Sequence, residues 1–139
     1  MKLLLISNST NAGEAYLKYP IGHIGEHLQG VSEIIFVPYA AVTFSYDEYE
    51  RKVQERFNEI GVKVRSIHRE KNPIKAIKEA QAICVGGGNT FALTKKMQAQ
   101  GLMKAILKRV KEGVPYVGWS AGSNVCCPTI CTTNDMPIV

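Results

Sequence analysis

The chain has 139 residues, of which 45% are hydrophobic and 21% are charged, a balance that suits one soluble globular domain over residues 1–139. No apolar run approaches the about 20 residues that span a bilayer, so we expect no membrane partner. The formal net charge of +5 is scattered and accompanies no recognition motif, so we expect no nucleic-acid partner.

The first third of the chain alternates strand-like and helix-like segments. The run KLLLIS (2–7) predicts a buried strand, and the polar residues that follow it distinguish it from a signal peptide. A helix is expected within Gly13–Leu28, with an interruption at Pro20. The run EIIFVPYA (33–40) predicts a second strand.

The clearest helical pattern follows the second strand. Its apolar residues recur at helical spacing and form one stripe, at Tyr46, Tyr49, Val53, Phe57 and Ile60. Ser45 and Glu48 form a capping box, and Gly61 provides a stop. We therefore predict an amphipathic helix between Ser45 and Gly61.

The rest of the chain continues this alternation. Asn72 is a candidate helix cap, and Pro73 suits the first helical position. The pattern predicts strands at 62–67, 81–88 and 114–118, and helices at 73–80, 90–98, 102–112 and after Ser120. This order of elements predicts an α/β fold, with a mainly parallel sheet and helices on both of its faces.

Ligand sites in such a sheet lie at the carboxyl ends of its strands. Three loops stand at such ends, namely SNSTNAG, VGGGNT and GWSAGSN. The hydroxyl-rich first loop suits a phosphate, although ordinary turn chemistry explains the same residues.

The third loop contains Ser120 in the spacing G-x-S-x-G, between a strand and a helix. In that context, flanking glycines allow a sharp turn that exposes a nucleophilic hydroxyl, and the Ala121 N–H points toward a developing oxyanion. The alternative is that small residues only pack a tight strand-to-helix crossing. We favour the nucleophile.

The loop GGGNT (86–90) also closes a strand and opens a helix. Gly88 is our candidate for the second oxyanion donor, and Asn89 can cap the helix. A plain glycine turn and a phosphate-binding loop are the alternatives, although the Gly-Lys-Ser/Thr of a Walker A motif is missing.

The four cysteines and three histidines do not have the spacing of a zinc site, and we expect neither a metal nor a cofactor. Cys84 lies in an apolar run and is expected to be buried. Reduced thiols are expected, as in a cytoplasmic protein. His23, His27 and His68 are expected at the surface.

Together these residues resemble one known family. The segments LLLISNST, FVPYA, DEY, ICVGGGNTF, YVGWSAGSN and CPTICTTNDMPIV are similar, in order and in strand-end position, to the S51 serine peptidases, the α-aspartyl dipeptidases of the peptidase E type. The similarity covers the chain from residue 2 to its last residue. It implies a class I glutamine-amidotransferase-like (flavodoxin-like) three-layer sandwich in which Ser120 replaces the usual cysteine.

The resemblance also implies a function. It implies a cytosolic, metal-free peptidase that removes an N-terminal aspartate from short peptides, with Ser120 as nucleophile and Gly88 near the oxyanion hole. Asn89 is a candidate substrate-binding residue. So are Thr132, Thr133 and Asn134, which could equally form a polar loop.

In the family, a histidine and then an acidic residue follow the nucleophile, whereas no residue after Ser120 in this sequence can be given those roles. We therefore expect the chain to lack the family's C-terminal part and to have low activity. A sheet that ends early exposes a strand edge and apolar faces, so we expect self-association.

The sequence is also consistent with two further functions. One is a catalytically silent, shortened homologue that serves as a binding or assembly module. The other is a flavodoxin-like cofactor binder that uses SNSTNAG and GGGNT.

Overall fold

The computed structural model describes residues 1–138. Within them the strands are β1 (Leu3–Ile6), β2 (Glu33–Val37), β3 (Lys63–Ser66), β4 (Ile83–Val85) and β5 (Tyr116–Trp119). The α-helices are α1 (Ile21–His27), α2 (Tyr46–Phe57), α3 (Pro73–Glu79), α4 (Thr90–Ala99), α5 (Leu102–Lys111) and α6 (Ala121–Asn124). Short 3-10 turns follow α2 and β3, at Asn58–Ile60 and Ile67–Arg69.

The five strands form one sheet in the order β1-β5-β4-β2-β3, and every neighbouring pair is parallel. Gly118 of β5 pairs with Leu5 on one side and with Val85 on the other. Because the strands are parallel, their carboxyl ends meet along one edge of the sheet. The predicted α/β fold with a parallel sheet is confirmed.

Apolar side chains fill both faces of the sheet, because the central strands alternate buried residues between them. On one face, Phe36 and Trp119 pack with α1 and α2. On the other face, Ile35 and Ile83 pack with α3, α4 and α5. The result is a three-layer sandwich, as the sequence predicts.

Helix α2 has the ends that its sequence predicts. The Ser45 side chain accepts the Glu48 N–H, and the Glu48 side chain accepts the Ser45 N–H, so the capping box is present. After the following 3-10 turn, Gly61 adopts a left-handed conformation with φ 67°. A left-handed glycine is a common helix stop, and the chain leaves the helix there for β3.

Two predicted elements differ from the structure. Turns occupy the chain before Pro20, and α1 begins only at Ile21. The short segment before Pro20 is instead held by its buried Leu17, whose N–H donates to the Ser9 carbonyl at 2.7 Å. The first strand is an edge strand, so Leu3 and Leu5 are 44% and 46% exposed rather than buried.

The predicted burial of Cys84 is confirmed. Cys84 is buried in β4, and burial raises the pKa of its thiol. Cys126, Cys127 and Cys131 are exposed and free. Among residues 1–138, no helix is both long enough and apolar enough to cross a membrane.

Candidate active site

A cavity of about 460 Å³ opens at the carboxyl edge of the sheet. The loops that follow β1, β2, β4 and β5 supply most of its wall, and α2 and the segment after α6 supply the rest. Its lining consists of Ser9, Thr10, Tyr16, residues 40–44, Tyr49, Lys52, Gly87, Gly88, Asn89, Ser120 and Asp135. The structure therefore brings together residues of the three loops that the sequence singled out.

Ser120 occupies a strained turn between β5 and α6. Its φ of 53° and ψ of −116° lie in a region that residues with a side chain rarely adopt. The Ser120 N–H donates to the Ile6 carbonyl at 2.9 Å, which ties the turn to the end of β1. The serine side chain is half-buried and lines the cavity.

The glycines on either side of Ser120 are sterically required. A β-carbon on Gly118 would collide with the Gly122 carbonyl, and a β-carbon on Gly122 would collide with the Val85 carbonyl. The Gly122 carbonyl also accepts the Tyr116 hydroxyl at 2.6 Å. The G-x-S-x-G spacing therefore allows the close approach of β4, β5 and α6 that holds the turn.

Ser123 is also close to this turn, but its hydroxyl is engaged in the scaffold. Its Oγ lies 2.8 Å from both the Ile6 and the Gly118 carbonyls and accepts the Ile6 N–H at 3.1 Å. Ser123 therefore ties α6 to β1 and β5. Ser120 is the serine of this turn that lines the cavity.

The glycine loop after β4 lies beside the serine. Gly88 has a φ of 138°, and a β-carbon on it would collide with the Ala40 carbonyl. The next residue, Asn89, donates its N–H to the same carbonyl at 2.8 Å and caps α4 by accepting the Ala92 N–H. Among residues 1–138, neither the Gly88 N–H nor the Ala121 N–H donates to a protein acceptor.

A chain of hydrogen-bonded aromatic side chains leads from the buried Trp119 to Tyr16 and Tyr49, which line the cavity. The Trp119 indole N–H donates to the Tyr16 hydroxyl at 2.8 Å, and Tyr16 donates to Tyr49 at 3.2 Å. Tyr49 then donates to the Gly87 carbonyl at 2.9 Å. Burial raises the pKa of both tyrosines, so they remain neutral at physiological pH.

The segment after α6 returns to the cavity through Asp135. Its carboxylate accepts the Thr90 N–H at 2.7 Å and the Thr133 hydroxyl at 2.8 Å. The Asn89 amide donates to the Met136 carbonyl at 2.8 Å. Burial acts to raise the pKa of Asp135, but the hydrogen bonds from Thr90 and Thr133 outweigh it and lower that pKa.

The structure separates the four candidate substrate-binding residues. Asn89 lines the cavity. Thr133 lies behind Asp135, with its hydroxyl 3.2 Å from that of Thr90. Thr132 and Asn134 are exposed and stand outside the cavity lining. Their roles in substrate binding stay predictions.

The three histidines lie away from Ser120. His23 is exposed on α1, and His27 hydrogen-bonds to the Tyr116 carbonyl, at the opposite end of β5 from Ser120. His68 follows β3, which lies three strands from β5, and it pairs with Asp47 at 2.8 Å. No histidine is among the cavity-lining residues of the part of the chain that the structure describes.

Asp47, Glu50 and His68 are close enough together to suggest a cation site. The Arg69 guanidinium already lies 2.7 Å from the Asp47 carboxylate and 2.6 Å from that of Glu50. Hydrogen bonding to His68 and the charge of Arg69 lower the pKa of Asp47. The cluster is therefore a salt-bridge network on α2 and the turn after β3.

The sequence profile of Peptidase family S51 matches residues 3–139. The chain belongs to Peptidase family S51. Over its full 139 residues it is 50% identical to the Peptidase E of Salmonella newport (strain SL254) and 50% identical to that of Salmonella typhimurium (strain LT2). The S51 chain spans 61% of the length of each of these two curated relatives.

Solved structures agree with this assignment. The S51 chain superposes on a crystal structure of a candidate peptidase E from Listeria monocytogenes EGD-e with a TM-score of 0.72 and 26% identity, over 93% of this chain and 63% of that one. A peptidase from an acI-B1 Actinobacterium gives a TM-score of 0.67 at 18% identity, over 86% and 54% of the two chains. The second similarity shows the shared fold.

Sequence patterns missed several residues that line the cavity of this S51 chain. Tyr49 and Lys52 lie on α2, where Tyr49 follows the apolar stripe and its hydroxyl gives no separate signal. Residues 40–44 follow β2, and their position at the carboxyl end of a strand is the same signal that identified the loops after β1, β4 and β5. Asp135 is the one acidic residue in the segment TTNDMPI, and that isolation is a signal that could have been used.

Proposed function

We propose that the chain carries the nucleophile and the oxyanion site of a serine dipeptidase that removes an N-terminal aspartate from short peptides. The observation that carries the proposal is the strained Ser120 turn, which faces the cavity beside a glycine loop. A residue with a side chain is held at such φ and ψ values only when its surroundings enforce them, and a nucleophile elbow has this need.

The reaction begins with attack of the Ser120 Oγ on the peptide carbonyl carbon. The hydroxyl proton passes to a water molecule in the cavity, and the carbonyl oxygen becomes an oxyanion that accepts hydrogen bonds from the Gly88 and Ala121 N–H groups. Collapse breaks the peptide bond, releases the amine of the second residue with a proton, and leaves an aspartyl ester on Ser120. Water then hydrolyses the ester and restores the serine.

The cavity has a size and a charge distribution that suit an aspartyl dipeptide. Its volume of about 460 Å³ lies in the range of small-molecule sites. Lys52 and Asp135 are the charged side chains among its described lining residues. The Lys52 ammonium attracts the aspartate side chain of the substrate, and Asn89, which lines the same cavity, contributes to binding.

Ser120 has no histidine beside it among the described residues, and this limits the expected rate of peptide hydrolysis. A serine hydroxyl without a paired base is a weak nucleophile at neutral pH. Because the histidines described above lie elsewhere, we expect slow turnover, drawing on the residual about 10³- to 10⁴-fold catalysis that an oxyanion hole and binding provide. The free cysteines of residues 1–138 suit a reducing compartment such as the cytoplasm.

The test is a panel of dipeptides incubated with the pure chain. We expect release of aspartate from Asp-Leu, little release of glutamate from Glu-Leu, and no measurable release of asparagine from Asn-Leu. Ser120→Ala should abolish release of aspartate, and Ser7→Ala is the serine control, because Ser7 is exposed and stands outside the cavity lining. Aspartate release that survives Ser120→Ala would contradict the mechanism.

A second candidate is a catalytically silent binding or assembly module. The observation that favours it is the distance of all three histidines from Ser120. This function predicts that Asp-Leu binds to the chain in calorimetry while its hydrolysis stays at the rate of the buffer. Lys52→Met should then weaken binding, with Lys18→Met as a control on a lysine outside the cavity.

We further propose that two copies associate through the outer edge of β1, which pairs with no strand among residues 1–138. Leu3 and Leu5 are exposed there, and unpaired strand edges readily pair with another chain. Sedimentation should show a dimer that dissociates in the Leu5→Lys variant. A compact monomer at high protein concentration would contradict this association.

A further inference from the structure

The peptide between Gly87 and Gly88 is anchored by a side chain from a different layer of the fold. The Tyr49 hydroxyl, on α2, donates to the Gly87 carbonyl at 2.9 Å in a buried setting. The two atoms are 38 residues apart in sequence, so this contact joins α2 to the loop after β4. It fixes the direction of one carbonyl at the edge of the cavity.

In a trans peptide, the carbonyl of one residue and the N–H of the next point in opposite directions. Because the Gly87 carbonyl points at Tyr49, the Gly88 N–H points away from it. We propose that Tyr49 is a positioning residue that holds the Gly88 N–H in the direction from which it donates to the oxyanion. This inference rests on the proposed function, because it concerns the same oxyanion site.

The Tyr49 ring is well suited to this task because its own position is fixed. It stacks on Phe36 and Phe44, with ring centroids 4.9 and 5.1 Å apart. Its hydroxyl oxygen also accepts hydrogen bonds from the Tyr16 hydroxyl at 3.2 Å and from the Trp119 N–H at 3.3 Å. Both incoming groups act as donors, so the Tyr49 proton is directed to the Gly87 carbonyl.

The glycine loop needs such an anchor. Glycine residues adopt both positive and negative φ values, so a peptide between two glycines can rotate with little steric resistance. Rotation by half a turn would aim the Gly87 carbonyl at the substrate oxygen, where two partial negative charges repel. Gly86 leaves no room for a side chain, because a β-carbon there would lie 2.5 Å from the Tyr49 ring. The Tyr49 ring therefore packs directly against the backbone of Gly86, and only glycine fits at that position.

The test is the direction of the Gly88 N–H vector, measured by residual dipolar couplings of the ¹⁵N-labelled chain. In the unsubstituted protein the coupling should fit a vector that points away from Tyr49. Tyr49→Phe keeps the ring and removes the hydroxyl, so the Gly88 coupling and the Gly87 carbonyl ¹³C shift should change while those of β2 stay the same. Tyr39→Phe is the matched control, since the Tyr39 hydroxyl donates to Gln100 outside the cavity.

An unchanged Gly88 coupling in Tyr49→Phe, or an equal change in Tyr39→Phe, would overturn the inference. The rate at which a fluorophosphonate modifies Ser120 gives a second readout, expected to fall about 10- to 100-fold in Tyr49→Phe and to stay constant in Tyr39→Phe. Equal rates in Tyr49→Phe and the unsubstituted protein would also overturn it. If Ser120 is not modified in any variant, the proposed function fails, while the Gly88 coupling still decides the role of Tyr49.

Discussion

The α-carbon of Gly87 faces Ser120 so closely that a β-carbon added to it would lie 2.8 Å from the Ser120 Cβ and 3.3 Å from its Oγ. It would also lie 3.1 Å from the Trp119 carbonyl. The loop after β4 and the turn after β5 therefore share one narrow space. Any side chain at position 87 competes with the serine for that space.

We expect Gly87→Ala to slow modification of Ser120 by a fluorophosphonate about 10-fold or more, because the added methyl group displaces the serine from its oxyanion donors. The rate is followed by intact mass spectrometry. Gly22→Ala is the matched control, since Gly22 is exposed on α1 with open space around it. An unchanged rate of Ser120 modification in Gly87→Ala would show that the loop after β4 moves aside without displacing the serine, and would contradict this prediction.

We expect Gly122→Ala to destabilise the protein by about 3 kcal/mol, because the methyl group would collide with the Val85 backbone in the centre of the sheet. The measurement is the free energy of unfolding in urea. Gly22→Ala should instead stabilise the chain by about 0.5 kcal/mol, since alanine is the better helix residue. Equal stability of the two variants would contradict the close packing of α6 on β4.

We expect the hydrogen bonds from Thr90 and Thr133 to Asp135 to persist to low pH. The pKa of Asp135 is lower in the folded chain than in the unfolded chain, so its stabilising contribution is present at neutral pH. That contribution is lost as the pH falls through the lowered folded value. The Thr90 amide proton shift, followed by NMR, should therefore change with a midpoint below the ordinary aspartate range.

The matched control for that titration is Asp135→Asn, in which the Thr90 amide shift should not follow this transition. A midpoint at or above the pKa of an unfolded aspartate would contradict the ionised, hydrogen-bonded state of Asp135.

We expect three fast thiols and one slow thiol in a titration with a disulfide reagent. Cys126, Cys127 and Cys131 are exposed, and partial burial of the Cys126 thiol raises its pKa, so it should be the slowest of these three. Cys84 is buried, and burial raises the pKa of its thiol as well. In urea all four should react. Cys84→Ala should remove the slow phase alone, and a fourth fast thiol in the native chain would place Cys84 at the surface.

Much of the fold follows from local sequence signals. The capping box of Ser45, the cap of Asn72 and the stop at Gly61 all operate as predicted. These signals are local, because each depends on residues within one turn of the helix end. The burial of β1 could not be predicted in the same way, since a strand's place at the centre or the edge depends on the whole sheet.

The same distinction applies to the candidate site. The glycine spacing around Ser120 and the position of Gly88 are visible in the sequence, and the structure places both at one cavity. The contact of Tyr49 with Gly87 joins residues that are far apart in the chain. Its helical spacing predicts only an apolar stripe, and the partner of its hydroxyl depends on how α2 packs on the sheet.

The most direct test of the central claim is the site at which a fluorophosphonate modifies the 139-residue chain. Peptide mapping by mass spectrometry after long incubation should find the adduct on Ser120, with no adduct at that peptide in Ser120→Ala and an unchanged yield in Ser7→Ala, since Ser7 is exposed and stands outside the cavity lining. An adduct that is absent from Ser120, or spread evenly over the other serines, would contradict the assignment of Ser120 as the nucleophile.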